Sequence, residues 1–235
     1  MHTDTSEKAP GAAGAAPTRL WLYLVFLVSG FAALLYQVVW QRALYAIYGI
    51  NIESVTMVVT AFMLGLGLGS LAGGAVSKDK SRPVLLLFAG VEGGIGVFGF
   101  FSLAVFHAVG NATLLMSPLM TGVVTFLLVL APTMLMGCTL PLLVGYLVRT
   151  SGNVGKTVGT LYFVNTMGSA FASAAAVLHL LGHFGQSGTV RIASAMNLLV
   201  CIIAFLQHKR TTAAPASAPA SAPTEAASAT EEVSS

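Results

Sequence analysis

The sequence predicts an all-α integral membrane protein, a bundle of six transmembrane helices. Three observations predict it. From Leu20 to Gln207 the chain is a series of long apolar stretches separated by short polar gaps. Its few cations fall almost entirely into alternate gaps. Charged residues make up 8% of the chain and hydrophobic residues 56%, whereas soluble domains carry about a quarter charged residues. No soluble fold could hide that much apolar surface, so the formal charge of +3 is a topology signal and gives no reason to expect nucleic-acid binding.

A spanning helix needs about 20 mainly apolar residues. Six segments qualify: about Leu20 to Trp40, Ser54 to Val76, Pro83 to His107, Thr121 to Val148, Val158 to Leu181, and Thr189 to Leu206. Trp21, Tyr23, Trp40, Tyr45 and Tyr48 flank the first span, where amphipathic rings favour the headgroup level. This span is too long for the h-region of a cleavable signal peptide and is expected to be retained. Residues 1–19 are polar and rich in Ala, Gly and Pro, a disordered cytoplasmic tail. Residues 20–210 form the membrane domain. Residues 211–235, rich in Ala, Pro, Ser, Thr and Glu, cannot bury enough apolar area to fold and read as a second disordered cytoplasmic tail.

Charge sets the orientation. Lys8 and Arg19 precede the first span; Lys78, Lys80 and Arg82 fill the second gap; Arg149 and Lys156 fill the fourth; Lys209 and Arg210 follow the last. Only Arg42 and Arg191 lie in other gaps, so six spans with both termini inside place nine of the eleven cations in the cytoplasm, as the positive-inside rule requires. The stretch from Ala112 to Val148 is long enough for two short spans, but seven spans would leave six cations inside and five outside. One long helix is therefore expected, kinked at Pro132 and again at Pro141, after a loop or interfacial segment from Asn111 to Met120.

Gly65, Gly69 and Gly73 recur every four residues on the second span, and Gly90 and Gly94 repeat the spacing on the third. Small residues at this interval let backbones approach closely where lipid offers no hydrophobic driving force. They predict a tight antiparallel hairpin of the second and third spans. Glu92 is the one acidic residue inside a span, about nine residues past Pro83 and hence on the order of 14 Å into the membrane. A carboxylate at that depth costs about 2.5 to 3.5 kcal/mol on insertion scales. It is expected to be protonated, paired or facing a wet cavity, either as a functional group or as a hydrogen bond between helices. Ser29, Thr133, Asn165 and Asn197 lie at similar depth in four other spans. With Glu92 facing the same cavity they would form a midplane site for a small cation or a hydrogen-bonding ligand; pointing apart, they are separate interhelical hydrogen bonds.

The remaining candidates carry little chemistry. His107, His179 and His183 fall near the extracytoplasmic ends of their spans, with Glu53 as the only loop carboxylate near them; no metal site is expected. Cys138 and Cys201 sit alone in apolar stretches, without zinc-site or disulfide spacing. Asn111 to Thr113 is a glycosylation sequon, meaningful only in a eukaryotic secretory pathway. No nucleotide-binding glycine loop is present, and no cofactor is expected.

Several runs resemble one family. "SGFAALLYQVVWQRAL" from Ser29, "AFMLGLGLGSLAGG" from Ala61, "VEGGIG" from Val91, "APTMLMGCTLPLL" from Ala131 and "GTLYFVNTMGSAF" from Gly159 are similar, in order, to the N-terminal membrane region of the fused major-facilitator/spermidine-synthase-like bacterial proteins. There the membrane region precedes a cytoplasmic aminopropyltransferase domain that joins decarboxylated S-adenosylmethionine to a diamine. The resemblance implies the family's membrane part without its catalytic domain, placed in the bacterial inner membrane. It also implies two candidate partners, a separate soluble aminopropyltransferase-like protein that the module anchors or feeds, and a second copy of the chain. A small cationic amine is the implied ligand. The loop "GGAVSKDKSRP" from Gly73 further resembles the loop between the second and third helices of major-facilitator transporters. Six spans would equal half of such a transporter, which implies the alternative of a homodimeric transporter-like protein unrelated to polyamine synthesis.

Overall fold

The computed structural model describes residues 20–49, 52–151 and 153–213. All described elements are helices: α1 (Leu20–Tyr48), α2 (Ile52–Lys78), α3 (Val84–Ala112), α4 (Pro118–Ser151), α5 (Val154–Ala175), a π-helical turn (Ala176–Leu180) and α6 (Leu181–Ala213). Five helical stretches are long and apolar enough to cross a membrane, and the last of them, Val154–Thr212, is 59 residues long. In lipid every backbone group must be satisfied within its own segment, which leaves the helix as the available solution for these apolar runs.

α1 is the central helix. Its buried residues run along its whole length from Leu22 to Leu44, and it touches α2, α3, α5 and α6. Partner residues fix the directions. Along α1 and α3, Ser29 meets Glu92, Tyr36 meets Gly99, Trp40 meets Ser102 and Ile47 meets Gly110. Along α1 and α5, Phe26 meets Asn165 and Gly30 meets Ser169. These three helices are parallel. α2 and α4 are parallel to each other, with Met57 against Gly122, Gly65 against Thr133 and Ser77 against Gly145. α6 opposes α3, since Gly93, Glu92 and Gly96 face Cys201, Asn197 and Ser194.

Between α5 and that stretch of α6 the helix is broken at Gly185, with φ 63° and ψ −171°. That backbone region is open only to glycine. The expected loop between Leu181 and Thr189 is thus one non-helical residue within otherwise helical chain. Helix ends also lie outside the expected bounds: α1 continues to Tyr48, α3 to Ala112, and α6 to Ala213, two residues past the start expected for the C-terminal tail. The expectations for 1–19 and 214–235 lie outside the described residues, as does the side chain of Glu53.

Two sequence expectations are corrected. The Gly65, Gly69 and Gly73 ridge packs on α4, and the predicted hairpin with α3 does not form. A Cβ on Gly69 would overlap the backbone at Met134 and Gly137, and one on Gly73 would meet Cys138, while Gly90 faces nothing within 4 Å and Gly94 meets only the Leu135 side chain. Sequence proximity favoured α3 as the partner; the matching small surface, Gly137 against Leu66, is on α4. The Trp40 ring also does not face outward from the bundle. It is fully buried, stacks on Tyr36 at 5.0 Å, meets Phe62, Phe98 and Phe106, and donates from Nε1 to Ser102 Oγ at 2.8 Å. Because α1 extends eight residues beyond it, Trp40 lies well inside the helix.

α4 is one continuous helix that contains both Pro132 and Pro141, as the single-span reading expects. Proline lacks an N–H and orphans the carbonyl four residues back. For Pro141 that carbonyl belongs to Gly137, and Ser70 Oγ of α2 donates to it at 3.2 Å. At the C-terminal end of α2, Arg149 donates to the carbonyls of Ser77 (2.9 Å) and of Asp79 just beyond it (2.8 Å). Asp79 accepts from Ser81 N and Oγ and pairs with Arg82 at 3.2 Å. Those Ser81 hydrogen bonds, helped by Arg82, hold its carboxyl below the usual carboxylate range.

Candidate functional site: a buried carboxylate clamp

Glu92 has no exposed surface. Ser29 Oγ of α1 donates to its Oε1 at 2.5 Å, and Asn197 Nδ2 of α6 donates to its Oε2 at 2.7 Å. Ser29 and Asn197 are themselves buried. One side chain therefore joins three helices, two of them parallel and one antiparallel. The approach depends on glycines beside it: a Cβ on Gly93 would press on Cys201 Sγ at 3.0 Å, and one on Gly96 on the Leu198 side chain at 3.0 Å.

Of the five residues expected to share one midplane cavity, Ser29, Glu92 and Asn197 converge. Thr133 and Asn165 do not. Thr133 Oγ1 lies 2.9 Å from the Val129 and Leu130 carbonyls of its own helix and fills the space beside Gly65. Asn165 Nδ2 donates to the Phe26 carbonyl at 3.3 Å, and Ser169 Oγ repeats the contact one turn on, at the Gly30 carbonyl. These two residues hold other helix pairs, α4 to α2 and α5 to α1, because their helices present them on faces turned away from Glu92.

Sequence reasoning missed the rest of the polar centre. Ser194 Oγ donates to the Gly96 carbonyl at 2.7 Å, and Ser102 Oγ to the Gly99 carbonyl at 2.7 Å. Tyr36 is fully buried with its ring across Gly99. A signal existed in the sequence: Gly93, Gly96 and Gly99 recur at three-residue spacing beside Glu92, and they, with Glu92, mark the surface that α1 and α6 approach.

A cleft among the described residues lies elsewhere. It has a volume of about 620 Å³ and is lined by the end of α1 (Leu44, Ile47), the start of α2 (Met57), the end of α3 (Gly110, Thr113) and the start of α4 (Thr121). Glu92 and Gly110 are eighteen residues apart on one helix, about 27 Å, so none of the five candidates lines it. His179 and His183 stand with ring centroids 5.8 Å apart on the surface, and among the described residues no group of three His, Cys, Asp or Glu side chains is placed to hold a metal.

Fold and site define a multi-pass, all-helical membrane protein with a carboxylate clamp at its centre. No family model, no curated protein and no solved structure matches the chain.

Proposed function

We propose that the chain is a six-pass module of the bacterial inner membrane, with both termini cytoplasmic, that holds a partner protein at the membrane. The observation that carries this reading is the state of Glu92: both carboxylate oxygens are already hydrogen-bonded from neighbouring helices inside a sealed centre. The polar centre serves the cohesion of the bundle, and the module's work falls to its surfaces.

Six passes are supported by direction. α5 runs with α1 and α3, the chain breaks at Gly185, and the following helix runs against α3. A 59-residue stretch as one straight helix would be about 88 Å long, far beyond a hydrocarbon core of about 30 Å. Read as two passes, it brings Lys78, Lys80, Arg82, Arg149, Lys156, Lys209 and Arg210 to one end of the bundle, the end the positive-inside rule assigns to the cytoplasm.

The resemblance to the spermidine-synthase-like family suggests the partner, a separate soluble aminopropyltransferase-like protein docking on that cationic end. Glu92 has no exposed surface and both its oxygens already accept from Ser29 and Asn197, so binding of a small cationic amine at Glu92 forms no part of the proposal. A second reading, a homodimeric transporter-like protein built from two halves, is favoured by the outward-facing small residues Gly155, Gly159 and Ala170 of α5, a surface that another helix can approach closely.

Affinity purification from the native membrane in mild detergent, with mass spectrometry and a measured particle mass, tests the proposal. The expected result is a co-purifying aminopropyltransferase-like protein; a stable homodimer alone selects the second reading. A strictly monomeric particle that co-purifies with nothing contradicts both.

A further inference from the structure

His179 and His183 lie four residues apart, both exposed, with ring centroids 5.8 Å apart and planes inclined at 41°. Residues at this spacing share a helix face. The backbone is irregular on either side of the pair: His179 belongs to the π-helical turn Ala176–Leu180, and the chain breaks at Gly185. π-Helical turns are rare and occur frequently at functional sites. His179 is twenty-five residues past Val154, about 37 Å along the helix, against a hydrocarbon core of about 30 Å. The pair therefore stands outside the hydrocarbon, at the end of the bundle opposite Lys156.

We infer that His179 and His183 together bind one divalent transition-metal ion, copper(II) most tightly, through one nitrogen of each ring. His183 Nδ1 lies 2.9 Å from the His179 carbonyl oxygen. A carbonyl only accepts, so in the neutral ring Nδ1 carries the proton and Nε2 keeps its lone pair. Metal-binding histidines are held in this way, with the other ring N–H on a backbone carbonyl or carboxylate. The same bond folds the His183 ring back over the turn that carries His179. Among the described residues no hydrogen bond ties the His179 ring, which is free to turn a nitrogen toward the same point. An ion about 2.0–2.1 Å from a ring nitrogen stands about 3.2 Å from that ring's centroid, so two rings sharing an ion have centroids at most about 6.4 Å apart, and about 5.2 Å at a tetrahedral angle. The observed 5.8 Å falls between these values. Imidazole suits copper, nickel and zinc, and for a given ligand set copper(II) binds most tightly of the three. No third His, Cys, Asp or Glu side chain is grouped with the pair among the described residues, so water completes the coordination.

Titration of the full chain with copper(II), in detergent and without a polyhistidine tag, tests the inference. His107 supplies the control: it is exposed and its Nδ1 likewise bonds a backbone carbonyl, that of Leu103 at 2.7 Å, but it stands on α3 outside any such group. His179→Ala and His183→Ala are each expected to weaken binding tenfold or more, because each removes one of two contacts made within the same chain, and His107→Ala is expected to leave it unchanged. Wild-type affinity in either pair variant overturns the inference, and so does an equal loss in His107→Ala. Electron paramagnetic resonance of the wild-type complex decides independently of any variant. Splitting from two coordinated imidazole nitrogens is expected, and a copper(II) spectrum without nitrogen coupling overturns the proposal.

Discussion

Asn197 Nδ2 donates to Glu92 Oε2 across 2.7 Å, between two helices that run in opposite directions. Glu92 is on α3, and α3 runs with α1 and α5. The bond therefore ties the start and the end of the membrane domain together at one depth, and it requires the chain to turn between Asn165 and Asn197. Gly185 is where the described backbone permits it.

The proposed six-pass topology rests on that turn. A fluorescent-protein fusion after Arg210 is expected to fluoresce and an alkaline-phosphatase fusion there to be inactive, with the reverse after Gly110. Phosphatase activity after Arg210 would contradict the proposed topology, through inverted orientation if the Gly110 fusion is also reversed and through an odd number of passes if it is not.

Packing of α2 on α4 predicts a sharp contrast between two nearby glycines. Gly69 lies against the Met134 and Gly137 backbone, whereas Gly67 faces nothing within 4 Å. Gly69→Val is expected to destabilise by about 1–3 kcal/mol, since backbone cannot move aside as a flexible side chain does. Gly67→Ala is expected to be neutral or stabilising by about 0.5–1 kcal/mol through backbone entropy. Thermal unfolding in detergent distinguishes them; equal effects would mean that α2 does not pack on α4.

Ser70 and Pro141 predict a specific coupling. Ser70→Ala removes the donor to the carbonyl that Pro141 orphans, at an expected cost of about 0.5–1.5 kcal/mol. Pro141→Ala restores an N–H within α4, and in that background Ser70→Ala should cost close to nothing. A double-mutant cycle measures the difference, and additive effects would remove the link.

Much of this was legible in the sequence. Among the described residues the apolar runs mark the helical stretches long enough to cross a membrane, because the bilayer sets the length of a spanning segment. Continuity of α4 through Pro132 and Pro141 followed from the charge count. Glu92, Ser29 and Asn197 stand out because a polar group at midplane depth must find a partner. Helix neighbours were not legible. A glycine ridge shows that something approaches closely without saying what, and the ridge of α2 found α4, parallel and two helices on, where sequence order suggested α3. Depth alone likewise grouped Thr133 and Asn165 with Glu92, although helix rotation turns them to α2 and α1. Trp40 reads as a ring facing the headgroups because it stands near an expected helix end, whereas its ring is buried among α1, α2 and α3.

The central claim is that Glu92 is a hydrogen-bonded clamp joining α1, α3 and α6, occupied by Ser29 and Asn197. Its most direct measurement is the thermal stability of wild type, Glu92→Gln and Glu92→Leu in one detergent, each with and without a diamine. Gln keeps the size and two hydrogen-bonding ends of the side chain while removing ionisation; Leu leaves Ser29 and Asn197 buried without their partner. The account predicts that Glu92→Gln unfolds within a few degrees of wild type, that Glu92→Leu is destabilised by about 2 kcal/mol or more, and that the diamine shifts none of them. A saturable diamine-dependent rise in wild-type stability that Glu92→Gln abolishes would contradict it and make Glu92 a ligand site.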